Sequence, residues 1–305
     1  MNHIELLLLA LIIDAILGEP DWLWSRVPHP AAIMGRGIDW FDTRLNQGMG
    51  RKFMGVIALI LLILAAFVFG FIIQILPDFG ILEALIAAIL LAQRSLVQHV
   101  KDVATALREG LAEGRRAVSL IVGRDPENLD ESAVARSAIE SAAENFSDGV
   151  IAPAFWFLIL GLPGIIVYKL VNTADSMIGH QNERYHEFGW AAARFDDLLN
   201  WIPARLTGGL ICLVFWSKSA WNIMLTDAEL HRSPNAGWPE AATAGVLGVA
   251  LAGPRSYGGT MTDFLWVNPK GRRELTPDDI ENAVQVLWRS WVVIVLVLAI
   301  LAVFI

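Results

Sequence analysis

The sequence predicts an all-α, polytopic helical membrane protein with short, broken or re-entrant helices and a cytoplasmic helical segment. Two observations lead there. The 305 residues are 55% hydrophobic and only 18% charged, with mean hydropathy +0.51, more apolar than a soluble domain. Apolar runs also recur to the last residue, several of them near the roughly 20 residues that cross a hydrocarbon core. No Ser-, Pro- or Gly-rich linker divides the chain, so it reads as a single integral membrane domain, 1–305, surrounded by membrane lipid. The formal charge of −8 opposes a nucleic-acid partner, because phosphate backbones attract basic surfaces. Cys212 is the only cysteine, which excludes an intrachain disulfide; within LICLVFW it reads as a small buried hydrophobe.

The first run, MNHIELLLLALIIDAILGEP, has no basic leader and no small-x-small cleavage site, so it is expected to be retained. Its apolar core, 4–17, spans only if tilted or protected by neighbours. Residues 55–76 form a clear span. Pro77-Asp78-Phe79-Gly80 makes a tight turn into a return helix over 81–97. From about 94 to 149 the composition is that of a soluble protein. There DVATALREGLAEGRRAVSLIVG and DESAVARSAIESAAENFSDG read as amphipathic helices around Gly123-Arg124-Asp125-Pro126, the second begun by Asp130 or Glu131. Residues 150–171 are long enough to cross, yet Gly161-Leu162-Pro163-Gly164 interrupts them. They form either a kinked span or a re-entrant pair of half-helices, and re-entrance is the economical way to bring every motif to one side. The Gly-rich stretches 205–216 and 241–252 are expected inside the protein. Residues 291–305, beginning as early as Val286, form the last span, and no sizeable β-sheet is expected. The turn at 77–80 has no Lys or Arg. Arg26, Arg36, Arg44, Arg51 and Lys52 precede it, and Arg94, Lys101, Arg108, Arg115, Arg116 and Arg124 follow, which puts both basic segments in the cytoplasm.

Five polar constellations interrupt this apolar chain. Over 138–153, Glu140, Glu144 and Asp148 recur at i, i+4 and i+8, stacking carboxylates on one helical stripe. Such a stripe calls for a metal or a basic substrate unless it is simply an exposed acidic face. In YKLVNTADSMIGH, 168–180, Lys169, Asn172, Thr173, Asp175, Ser176 and His180 share one arc of a helical wheel, with Tyr168 taken as lying off it. Interfacial snorkelling explains Lys169 and Tyr168 but not Asp175 and Asn172. In ARFDDLLNWIPARLT, 193–207, Arg194, Asp197 and Asn200 share a face, Asp196 lies near it, and Pro203 is expected to close the helix before Arg205. Adjacent Asp196 and Asp197 offer hard oxygens suited to Mg2+, and Arg194 and Arg205 offer forks for phosphate or carboxylate. A plain Arg–Asp pair fixing helix register is the alternative. Residues 231–259 hold a turn around Asn235 whose backbone N–H groups suit an anion, and a second turn around Arg255. The fifth constellation is Asp14, alone in an apolar run, with Gly18-Glu19-Pro20 and with His29 between two prolines. No Walker loop, dinucleotide fingerprint, zinc-protease motif or nucleophile elbow occurs, so a nucleotide is not held by a standard P-loop.

The stretches DAILGEP, VPHPAAIMGRGI, VGRDPENLDESAVARSAIESAAENFSDGVIAPAFW, YKLVNTADSMIGHQNERYHEFGWAAARFDDLLNWIPARLT and SPNAGWPEAATAGVLGVALAGPRSYGG, in that order, resemble the adenosylcobinamide-phosphate synthases. One departure is Pro126, where a Thr is expected. The resemblance implies an amide bond formed between a propionate carboxyl of the corrinoid adenosylcobyric acid and the amine of aminopropanol or its O-phosphate. ATP is the implied co-substrate and Mg2+ the cofactor, at a site on the cytoplasmic side of the cell (inner) membrane. On this reading Glu140, Glu144, Asp175, His180 and Lys169 are catalytic candidates. Arg124, Asn145, Asn172, Ser176, Arg194, Asn200, Arg205, Asn235, Arg255 and His29 bind substrate, and Asp148, Asp196 and Asp197 bind metal. A homo-oligomer, or association with other corrinoid-pathway enzymes, is compatible with it. The alternative is a membrane sensor of the related β-lactamase-induction group, or a transporter, since both also place carboxylates at membrane depth.

Overall fold

The computed structural model describes residues 1–122, 127–257 and 260–304, without the side chains of 21, 255–257 and 260–262. In chain order the helices are α1 His3–Leu17, α2 Asp21–Trp24, α3 Pro30–Leu45, α4 Arg51–Gln74, α5 Ile81–Leu90, α6 Gln93–Glu109, α7 Leu111–Ser119, α8 Glu131–Phe146, α9 Ala152–Ile178, α10 Trp190–Val214, α11 Lys218–Asp227, α12 Gly237–Leu247 and α13 Pro277–Phe304. Among the described residues, four strands of two or three residues, β1 Leu251–Ala252, β2 Arg255–Tyr257, β3 Thr260–Thr262 and β4 Trp266–Val267, make two antiparallel pairs, β1–β4 and β2–β3. The protein is all-α, as the sequence predicts. Among the described residues four helical segments are long and apolar enough to cross a membrane: Arg51–Gln74, Ile81–Glu109, Glu131–Ile178 and Pro277–Phe304. Contacts divide the chain into two compact units: Met1–Arg94, Ala152–Asn200 and Leu298–Ile305, and then Ser95–Ile151 and Trp201–Val297.

In the first unit α1 packs on α5, and α4 packs along α9. Asn2 and Glu5 form a reciprocal capping box that starts α1 at once. The return helix expected over 81–97 is broken. It ends at Leu90, Leu91 is extended, and α6 begins at Gln93, whose N–H donates to Asp14 Oδ2 at 2.9 Å. The lone Asp14 in its apolar run is therefore a buried cap for a helix start that neither water nor lipid would satisfy.

The interruption in α9 falls at Gly161, with φ 65° and ψ −149°. A Cβ on Gly164 would overlap the Trp156 carbonyl oxygen. Residues eight apart in a straight helix are separated by about 12 Å, so the chain folds back here, which favours half-helices over a straight kinked span. His3 and the Gln74 amide fill the bend, and His3 Nδ1 lies 3.3 Å from the freed Leu158 carbonyl. Pro203, expected to close its helix, sits inside α10 instead. It has no N–H for the Leu199 carbonyl, and the Trp156 indole donates to that oxygen at 3.1 Å. This substitute bond lets α10 continue. Ile38, Leu59, Leu170, Val171, Phe188 and Leu199 are among the core residues on which α9 and α10 rest.

In the second unit the first amphipathic stretch breaks at Gly110 into α6 and α7, and a Cβ on Gly114 would collide with Leu107. Asp130 caps α8 through the Ala133 N–H at 2.7 Å. Residues 241–252 are interior, as expected: Ala241, Ala242, Ala244, Val249, Ala250 and Leu251 are fully buried. Residues 205–216 are not, for Leu206, Leu213 and Trp216 are exposed. They lie on the outer face of a helix that Pro203 does not end. The last helix starts at Pro277, well before Val286, because Thr276 donates its N–H to Asp279 at 2.8 Å and Arg272 pairs with the same carboxylate.

Candidate active site

The polar stretch after the α9 bend meets the start of α10 within the first unit. Tyr168 is 1% exposed, and its hydroxyl donates to Asn200 Oδ1 at 2.8 Å. Asn200 Nδ2 donates to Asp196 Oδ2 at 3.0 Å, and Asn172 Nδ2 to Asp196 Oδ1 at 3.3 Å. Four side chains thus form one chain of hydrogen bonds joining the two helices. Tyr168 is a correction to the sequence reading: it is buried and does not snorkel, and its spacing to Asn172 and Asp175, i, i+4 and i+7, puts it on the same stripe. His180 is off the stripe, because α9 ends at Ile178.

The adjacent aspartates of α10 differ in burial and partners. Asp196, at i−4 from Asn200, is buried; Asp197 is half-buried and pairs with exposed Arg194 at 3.3 Å. Burial, and then the nearby Asp175 charge, push the Asp196 carboxyl up to about 7. Burial also raises Asp197, less so because Arg194 opposes it. Asp175 is half-buried between them in charge, and no hydrogen bond engages its carboxylate among the described residues. It lies against the Gly179 backbone, where a Cβ would overlap Oδ1. The arrangement pairs a carboxyl poised to hold a proton with a carboxylate free to accept one.

Among the described residues no three His, Cys, Asp or Glu side chains come together closely enough to hold a metal ion. Both Asp196 oxygens already accept amide N–H groups, Asp197 pairs with Arg194, and no hydrogen bond engages the Asp175 carboxylate among the described residues. That donor set fits Mg2+, which takes one or two carboxylates plus substrate phosphate, and does not form a protein-only cage.

The other expected residues are placed differently. Ser176 turns its hydroxyl back to the Asn172 carbonyl, Thr173 does the same to that of Lys169, and Lys169 itself is half-buried on α9. His29 caps α3, its Nδ1 accepting the Ala31 N–H at 3.2 Å, and burial lowers its pKa. In the second unit Glu140 is buried and accepts the Ala252 N–H at 2.7 Å, tying α8 to β1. Glu144 is exposed, and Asn145 bonds back to Ser141. Asp148 sits in a π-helical turn, Ser147–Ile151, whose i→i+5 bonding breaks the regular i, i+4 spacing expected for the stripe. Arg205 stacks between Trp201 and Trp238, 4.4 and 4.5 Å from the ring centres, and reaches Asn235 Oδ1 at 3.4 Å. The turn around Asn235 is not an open anion nest. The Ser233 N–H donates to His231, and those of Asn235 and Ala236 donate to the Ser233 hydroxyl. Arg124 and Pro126 lie outside the described residues, as does the side chain of Arg255.

Residues 7–287 match the family model described as CobD/Cbib protein. The chain is 51% identical over 300 residues to a cobalamin biosynthesis protein CobD of Sinorhizobium sp, covering 93% of each chain. It is 50% identical over 302 residues to the protein of that name from Brucella anthropi, covering 93% of this chain and 92% of the relative. With the Rhodobacter capsulatus protein of that name it shares 44% identity over 310 residues, covering 99% and 98%. No solved structure matches the chain. A helical membrane protein in which two of the polar stretches meet at the α9–α10 contact, and which matches these relatives along nearly its whole length, belongs to the CobD/Cbib protein family.

Proposed function

We propose that the protein is an amide-forming ligase of cobalamin biosynthesis. It joins aminopropanol, or its O-phosphate, to a propionate carboxyl of adenosylcobyric acid, with ATP as co-substrate. The relatives' names support the pathway. The observation that carries the reaction is Asp175, a half-buried carboxylate with no hydrogen-bond partner among the described residues, beside an Asp196 held by amides.

A carboxylate and an amine left together merely exchange a proton. Activation solves this: the propionate oxygen attacks the γ-phosphorus, ADP leaves, and an acyl phosphate results. The ammonium then gives a proton to Asp175, its nitrogen attacks the acyl carbon, and phosphate leaves, carrying away the second amine proton. Bound Mg2+ would neutralise phosphate charge, with Asp197 as its protein ligand. Tyr168, Asn200 and Asn172 keep Asp196 in place, and the two helices hold the reactants in line. The relatives' names, all of cobalamin biosynthesis, do not favour the sensor and transporter readings.

Asp175→Asn is expected to lower cobinamide formation about 10²–10⁴-fold, the usual contribution of a general base, with an unchanged melting temperature in detergent. Undiminished product would overturn the role of Asp175. A strain lacking the gene is expected to grow on cobinamide and not on cobyric acid when cobalamin is required; growth on both rules out the step.

A further inference from the structure

Between α9 and α10 the chain makes a loop, 179–189, whose ends meet. A Cβ on Gly189 would overlap the Ile178 carbonyl oxygen, and one on Gly55 the Phe188 carbonyl, so glycine at both positions closes the base of the loop onto α4. Compact loops closed in this way are frequently functional. Three anchors fix this one to α3 and to the first turn of α4. Arg184 pairs with buried Asp42, which also accepts from Asn46 at 2.8 Å and from the Tyr185 hydroxyl at 3.4 Å. Asn46 donates to the Arg184 carbonyl at 3.1 Å. Arg51 donates to the Glu183 carbonyl at 3.2 Å and to Glu187 at 3.3 Å. The loop is a fixed wall.

Against this wall lies an open cleft of about 630 Å³, lined by Arg51, Gln181, Asn182, Glu183, His186 and Glu187. Arg51 and Glu187 offset each other. That leaves the Glu183 carboxylate, which no hydrogen bond or ion pair engages among the described residues. A cleft of this balance opposes a triphosphate and has no Trp, Tyr or Phe in its lining for a nucleobase to stack on. It suits a short cation that carries a hydrogen-bonding group at its far end. The loop also starts at Gly179, against which the Asp175 carboxylate lies.

We infer that this cleft binds the amine substrate. Glu183 receives the primary ammonium, the Gln181 and Asn182 amides receive the alcohol oxygen, and His186 with Arg51 faces the phosphate when the amine carries one. The assignment rests on the ligase reading above. It adds to that reading a receptor for a short amino alcohol, at residues the reaction chemistry itself does not use.

The test is calorimetric titration of the full-length protein in detergent with aminopropanol and, separately, with its O-phosphate. Glu183→Gln is expected to weaken both by about tenfold or more, the size of a lost charge-assisted hydrogen bond. His186→Gln is expected to weaken only the phosphorylated ligand. Both side chains are exposed, so both variants should fold. In turnover, Glu183→Gln should raise KM for the amine by the same factor and leave KM for ATP and the corrinoid unchanged. No binding by the wild type, or equal amine affinity in wild type and Glu183→Gln, overturns the cleft. If amide forms and Glu183→Gln leaves every KM unchanged, the cleft fails and the ligase reading stands. If Glu183-dependent amine binding is found and no amide forms, the cleft stands and the ligase reading fails.

Discussion

Asp196 is buried, has an amide donor on each oxygen, and carries a carboxyl pushed from 3.8 up to about 7. The folded chain therefore keeps a proton that the unfolded chain releases between about pH 4 and pH 7. The stability this proton contributes is complete below the unfolded value. It declines as pH rises through that window and is gone above about 7. Asp196→Asn, fixed in an uncharged form, is expected to narrow the difference in melting temperature between pH 5 and pH 8. It should gain on the wild type at the higher pH. A difference as wide as that of the wild type would mean that Asp196 is ionised throughout. Two adjacent aspartates read alike in the sequence, and what separates them is the company at helical spacing: Asn200 four residues after Asp196, Arg194 three before Asp197. The same arithmetic places Tyr168 on the Asn172–Asp175 stripe. The snorkelling reading misses it because a tyrosine at the end of an apolar run has two plausible homes, and only the packing of α10 decides between them.

At the scale of elements, the contact between α9 and α10 depends on an exchange of hydrogen bonds that neither helix shows alone. Pro203 leaves the Leu199 carbonyl without its helical donor, and Trp156 supplies one. Trp156→Phe is expected to cost about 1–3 kcal/mol by orphaning that oxygen, together with some lost packing. Pro203→Ala restores a backbone N–H to the same oxygen, so the double variant should be less destabilised than Trp156→Phe alone, with a coupling of about 1 kcal/mol. Denaturation of the four proteins in detergent measures this, and strictly additive losses would show that the indole bond carries no weight. The bend at Gly161 is legible because Gly-Leu-Pro-Gly cannot continue a helix. The break after Leu90 is not, since Leu91 and Ala92 are ordinary helix formers. It is held by Asp14, from a helix distant in sequence. The start of α13 is written in Thr276-Pro277-Asp278-Asp279, a cap signal that a hydropathy reading passes over.

For the molecule in its membrane, the distribution of basic residues gives an expected orientation of the first unit, and the contacts of the loop 179–189 tie that loop to the start of α4. The turn at 77–80 separates α4 from α5 and carries no Lys or Arg, whereas basic residues cluster before and after this pair. The loop 179–189 is pinned to the end of α3 and the start of α4 by Asn46, Asp42 and Arg51. It must therefore share the side of the membrane on which α4 begins. If the basic segments are cytoplasmic, the cleft and Asp175 beside Gly179 open to the compartment that holds ATP. The fold-back at Gly161 is what allows α9 to end there, although its length alone suggests a full crossing. Cys212 is 2% exposed and makes a silent background for cysteine labelling. Met49, 99% exposed before α4, and Phe79, 87% exposed in the turn, are sites where a cysteine disturbs no packing. A membrane-impermeant maleimide should label Phe79→Cys in spheroplasts with intact inner membranes, and Met49→Cys only after permeabilisation. His186→Cys, in the loop, should follow Met49→Cys. Labelling of Met49→Cys in sealed spheroplasts would reverse the orientation. Labelling of His186→Cys on the side of Phe79→Cys would contradict the fold-back.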